Sequence, residues 1–158
     1  MDDQLLQNLE EAPDRFAAEV DELSESELVK RPHDGGWNLK ELAGHMRDTE
    51  RAAFLDRLSL ILSEDNPTVP VFDEQAVAAN SSAGTMPIGD ALSEWKALRE
   101  QMVALLRGLG PAEVARTGQH PERGPMTPVS LAELAHDHDT NHLQQALTLK
   151  GLSRDPSS

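Results

Sequence analysis

The sequence predicts an all-α fold, a four-helix bundle, and three observations carry that prediction. The 158 residues include 22 Leu and 18 Ala but only 8 Val, 2 Ile and no Tyr. Leu and Ala favour helices, whereas β-branched and aromatic residues favour strands. Apolar residues recur at three- and four-residue steps in four segments of bundle length. The length suits one domain, which would bury roughly two-thirds of its unfolded surface. That domain is expected over residues 1–152, with SRDPSS at 153–158 a flexible tail.

The first helical pattern carries Leu5, Leu9, Ala12, Phe16, Val20 and Leu23. Pro13 falls inside it, so a kink or a restart is expected there. Ser24 with Glu27 reads as a capping box for a short turn. The second helix starts at an Asn38 cap backed by Glu41, with Trp37 and Leu42 as a hydrophobic staple. It runs through Met46, Phe54, Leu58 and Ile61 to about Glu64. Residues 65–87 hold three prolines and read as a long functional loop, with one or two helical turns in DEQAVAAN. The third helix runs from Ile88 to Gly108 or Gly110. A second loop, ARTGQHPERGPM, leads to a fourth helix capped by Thr127 with Pro128 at its first position.

Composition excludes several functions. The net charge of -14 repels phosphate backbones, so direct nucleic-acid binding is not expected. Without cysteine there is no disulfide, thiolate nucleophile or Cys-based metal site. No signal peptide is legible and no apolar run approaches the roughly 20 residues that span a bilayer, so a cytoplasmic protein without membrane contact is expected.

The dense chemical signal is HDHDTNHLQQ, with His136, His138 and His142. Residues four apart on a helix share a face, so His138 and His142 can chelate one ion while His136 points elsewhere. The pair falls on the stripe of Leu131, Leu134 and Leu149. Two imidazoles facing an interior need partners, which a divalent metal would supply; two packed histidines are the alternative. The HExxH motif is absent, and a di-iron site fails for lack of Glu-x-x-His pairs. His45 lies in the second helix among Leu42, Met46 and Thr49. It reads either as a packed core residue or as a third ligand, and spacing alone does not bring it to the fourth helix.

The run GGWNLKELAGHMRDTERAAFLDRL, then DNPTVPVFDE, the ALR of the third helix, HPERGPMT and HDTNHLQQ together resemble the DinB/YfiT-like proteins over nearly the whole chain. The resemblance implies an up-down-down-up bundle whose long second connection is a crossover. It also implies a divalent metal held by three histidines with an open coordination position. Carried over by position, these are His45, His138 and His142. Zinc and nickel are the first choices for the ion, with iron or manganese as others. Asp48, one turn after His45, is the candidate catalytic base or ligand-orienting group, with a solvated carboxylate as the alternative. Gln145 matches the glutamine of the motif and is read either as a partner of the site or as a residue that joins helices.

The resemblance further implies a transferase that uses a low-molecular-weight thiol of the bacillithiol or mycothiol type as the first expectation for function. The alternatives are a metal-dependent hydrolase, or a non-enzymatic helical module in a stress or DNA-damage response. A small-molecule substrate is expected, and the resemblance also suggests a homodimer. A thiol cosubstrate usually carries carboxylates, so Arg51, Arg99 and Arg123 are the candidate pocket cations. Glu50 and Arg51 are otherwise read as surface pairs, His33 and His120 as exposed loop histidines, and Trp37 and Trp95 as staple and core.

Overall fold

Local signals set the ends of each helix. The computed structural model describes residues 1–82 and 84–157; Ala83 of the long loop and Ser158 of the expected tail lie outside the described residues. Helix α1 (Asp3–Val20) starts at Asp2, whose side chain accepts from the Gln4 N–H. It buries Leu6, Leu9, Ala12, Phe16 and Val20 along one face. The expected restart at Pro13 does not occur. Proline removes one helical N–H and so frees the carbonyl four residues back. That carbonyl is Leu9's, and the Arg99 guanidinium donates to it at 2.7 Å.

Helix α2 (Glu25–Leu28) is a single turn held by the Ser24–Glu27 capping box. In α3 (Leu39–Thr49), the Asn38 side chain accepts from the Glu41 N–H at 2.9 Å and Glu41 reaches back to the Asn38 N–H. A π-helical turn, Glu50–Leu55, and then α4 (Asp56–Ser63) continue the same rod. The wider turn disturbs the 3.6-residue period, as such bulges do near functional sites, and Glu50 lies fully inside the protein. The surface pair expected for Glu50 is therefore replaced by a buried one.

The long connection carries α5 (Glu74–Ala79), capped by Asp73. Helix α6 (Ile88–Arg107) ends at Gly108, and one turn, α7 (Pro111–Val114), follows. The next segment is not plain loop. Strands β1 (Gly118–His120) and β2 (Gly124–Met126) pair antiparallel, with Gly118 opposite Met126. Gly124 sits at φ +76°, a conformation that suits glycine. The hairpin docks on the crossover through the Val69 N–H to the Gln119 carbonyl (2.9 Å) and the Gln119 N–H to the Pro67 carbonyl (2.7 Å). Helix α8 (Pro128–Arg154) starts at its Thr127 cap with proline in its first turn, and extends two residues past 152.

Cross-helix contacts define the topology. Lys96 pairs with Asp14 and Arg107 with Glu10, so α6 runs antiparallel to α1. Arg99 bonds both Leu9 and Asp139, and Lys150 pairs with Glu19, so α8 runs parallel to α1. Arg47 pairs with Glu94 and Glu50 with Arg99, so the α3–α4 rod runs parallel to α6. The order is up-down-down-up, as the resemblance implied.

Two apolar clusters fill the bundle. Leu9, Phe54, Leu58, Met102 and Leu131 anchor one. Phe16, Leu42, Met46, Trp95 and Leu149 anchor the other. Between them lies a polar layer that touches all four long segments. Arg99 makes two hydrogen bonds to Glu50 (2.8 and 2.6 Å) and two to Asp139 (2.6 and 3.0 Å). Arg99, 1% exposed, is thus committed to the core and is not a pocket cation. Burial pushes the Asp139 carboxyl up to about 6 against the pull of Arg99, because two buried carboxylates share one guanidinium. No described helix is long and apolar enough to cross a membrane.

Candidate metal centre

Three imidazoles converge beside this polar layer. His45 comes from α3, and His138 and His142 come from one face of α8. Their ring Nε2 atoms lie 3.0 Å apart for His45–His138 and 3.2 Å for His45–His142. Arg99 grips the π turn through Glu50 and α8 through Asp139. It thereby sets the rotation of both helices that carry the histidines. The side chain of His136 is half-buried, outside the trio.

The protonation states suit a cation. Burial, then the neighbouring His142, depresses His45 to about 4. Burial and the other two histidines, with Arg99, depress His138 to about 2. Both rings are therefore neutral near pH 7. His142 Nδ1 lies 2.8 Å from Gln145 Oε1, which only accepts. Nδ1 therefore carries the proton and Nε2 presents a lone pair. A hydrogen bond could satisfy one pair among three converging nitrogens, whereas a cation satisfies all three. Two nitrogens each about 2.0–2.1 Å from one zinc ion stand roughly 2.9–3.4 Å apart, the spacing seen here. The donor set fits a divalent ion.

The carboxylates around the trio divide. Asp48 Oδ1 accepts from Arg47 Nε and Nη2 at 2.9 and 2.8 Å, and Oδ2 accepts from Ser81 at 2.6 Å. Its hydrogen bonds thus tie the crossover to α3 and go to no histidine. Sequence reasoning missed Glu74. Its Oε1 lies 3.4 Å from His45 Nε2, on a side chain about half exposed. The only local signal for it is the short helical pattern in the crossover, and nothing in the sequence aims that helix at His45. His138 Nδ1 is buried without a partner among the described residues. The Trp37 ring, besides forming the staple, tilts against His45 with centroids 4.4 Å apart.

A cavity of about 280 Å³ opens from His45 and His138. Phe54, Phe72 and Leu134 give it an apolar wall, and Arg57, His120 and Arg123 line it with cations and N–H groups. His120 is 4% exposed, not the exposed loop histidine expected, because the hairpin turns it inward. Of the candidate pocket cations, Arg123 lines this cavity, Arg99 lies in the core, and Arg51 lines a different groove.

The chain is similar to known proteins. A family model described as the DinB superfamily matches residues 8–146. A protein of Oceanobacillus iheyensis named "putative metal-dependent hydrolase" is 28% identical, over 91% of this chain and 83% of its own. One of the same name from Halalkalibacterium halodurans is 31% identical, over 85% and 80%. The solved structure of YfiT from Bacillus subtilis is described as "a probable metal-dependent hydrolase with an unusual four-helix bundle topology". It superposes with a TM-score of 0.85 at 26% identity, covering 93% of this chain and 84% of that one.

Proposed function

The chain belongs to the DinB superfamily, and on that premise we propose that it is a metal-dependent hydrolase with His45, His138 and His142 as ligands. The observation that carries this reading is the convergence of three imidazole nitrogens at 3.0–3.2 Å beside an open cavity. A divalent ion held there would supply Lewis acidity, polarising a carbonyl and acidifying a water or a thiol. Gln145 holds His142 in the tautomer that presents Nε2. Glu74, 3.4 Å from His45 Nε2, is placed to take a proton from a water entering the cavity. Asp48 positions rather than reacts, holding the crossover and its α5 over the site through Ser81. The apolar wall excludes water from the substrate's body.

Transfer to a low-molecular-weight thiol is the second reading. The arginines lining the cavity favour it, because such thiols carry carboxylates. Elemental analysis of the untagged protein tests the ligand set. About one ion per chain is expected, lost in His45→Ala and His142→Ala and retained in His136→Ala. No ion after incubation with zinc, nickel and manganese would overturn the reading, as would loss from His136→Ala. Loaded protein is then assayed on ester, lactone and amide substrates, and on electrophiles with added thiol. Turnover of the first set without thiol supports hydrolysis, while turnover only with thiol supports transfer.

A further inference from the structure

The cavity beside the histidines also holds cationic and N–H donor groups that the hydrolytic chemistry does not use. Arg57 is 5% exposed. One Nη2 hydrogen bond goes to the Pro70 carbonyl at 2.8 Å. Neither Arg57 nor Arg123 forms an ion pair with a described carboxylate, although Glu74 and Glu122 line the same cavity. Leaving a buried guanidinium without a counter-charge is costly. Burial and the nearby Arg123 together lower the Arg57 pKa.

The contact with His120 sharpens the point. His120 Nδ1 accepts from the Glu122 and Arg123 backbone N–H groups, both at 3.1 Å. An Nδ1 that accepts leaves the proton on Nε2. Yet Nε2 lies 3.4 Å from Arg57 Nη2, which can only donate. Two donors therefore face one another without an acceptor between them. An oxyanion placed there would accept from both.

We propose that Arg57, His120 and Arg123 form a carboxylate-binding subsite for the substrate of the histidine centre. The proposal rests on the hydrolytic reading for its reaction but not for its binding. The net charge of -14 disfavours dianions, so a monocarboxylate is preferred to a phosphate. Phe54, Phe72 and Leu134 then cover an apolar body between the carboxylate and the reacting bond. His45 and Arg57 lie on one helical rod, no more than about 18 Å apart in rise. The substrate class is a monocarboxylic acid with an apolar body.

The test is calorimetric titration with 3-phenylpropionate, its neutral amide and a phenyl phosphonate, on metal-loaded and metal-free protein. Binding of the carboxylate is expected in both forms, at least tenfold tighter than the amide and tighter than the phosphonate. Arg57→Gln should weaken it at least tenfold. Arg123→Gln changes an exposed side chain, is expected to fold, and should weaken it severalfold. Equal affinity for acid and amide would overturn the subsite, as would unchanged binding in both variants. Tighter binding of the phosphonate would overturn the carboxylate assignment. Binding that vanishes with the metal but survives Arg57→Gln would put the carboxylate on the ion instead. Failure of the wild-type protein to take up any ion, with carboxylate binding intact, would sink the metal reading alone.

Discussion

Replacing Arg99 with methionine should be strongly destabilising. The guanidinium makes four hydrogen bonds to Glu50 and Asp139 and a fifth to the Leu9 carbonyl. All three charged residues are at most 2% exposed. Methionine fills much of the volume but leaves two buried carboxylates facing each other. Removing one partner of a buried ion pair costs about 3–5 kcal/mol. The orphaned Leu9 carbonyl adds about 1–3 kcal/mol, since Pro13 has no N–H to offer it. Protonation of Asp139, already pushed up to about 6, limits the penalty to about 1.4 kcal/mol per pH unit for that group. The net expectation at pH 7 is about 4–6 kcal/mol, a drop of about 2–3 M in the urea midpoint at a slope of about 2 kcal/mol per M. Equilibrium urea unfolding followed by circular dichroism measures it. A midpoint shift below about 0.5 M at unchanged slope would refute the reasoning. Should the variant not fold, the triple change Glu50→Met, Arg99→Met, Asp139→Leu decides. It removes every charge in the layer and should recover most of the loss. A triple variant as unstable as the single one would show that charge burial is not the cause.

Gln145→Leu should lower metal affinity about 10–100-fold by releasing the His142 ring, read by competition with a chromogenic chelator; unchanged affinity would separate Gln145 from the site. Gly118→Val should destabilise the fold by about 1–3 kcal/mol, seen as a lower melting temperature. Even a Cβ there would meet Val69 Cγ2 at 2.7 Å and Ile61 Cγ1 at 2.9 Å. Metal-free protein should lose stability as pH falls below about 6.5. His45 and His138 titrate in the fold at about 4 and about 2, so the unfolded chain takes up their protons first. Asp139, raised to about 6, takes up its proton first in the fold and opposes this. Two histidines against one carboxyl leave a net loss of about 1.4 kcal/mol per pH unit between about pH 6 and 4. A metal-free stability that is flat or rising over that range would contradict the buried neutral histidines.

Much of the fold was legible because its signals are local. Asn38, Ser24 and Thr127 cap helices through side chains within three residues, so sequence spacing alone reveals them. The His138–His142 pair was legible for the same reason. The helix runs through Pro13 without a restart: the rule for proline in a helix counts a lost hydrogen bond and does not see Arg99 ready to use the freed carbonyl. The π turn was missed because a helical period does not announce one wider turn. His120 and Glu74 were missed because a hairpin and a six-residue helix aim them, and both elements are positioned by packing against the bundle.

The sequence by itself determined the helical class, the caps, the absence of a protein thiol and the pair of histidines on one helix face. These follow from residue type and from spacings within about two turns. Only the tertiary structure decided that His45 meets a pair more than ninety residues away. It alone placed Arg99 in the core and turned Arg57, His120 and Arg123 toward one cavity. The physical reason is that helix formation is governed by neighbours along the chain. The meeting of side chains across a bundle depends on which faces bury together, and one residue of phase at the π turn changes which side chain faces inward.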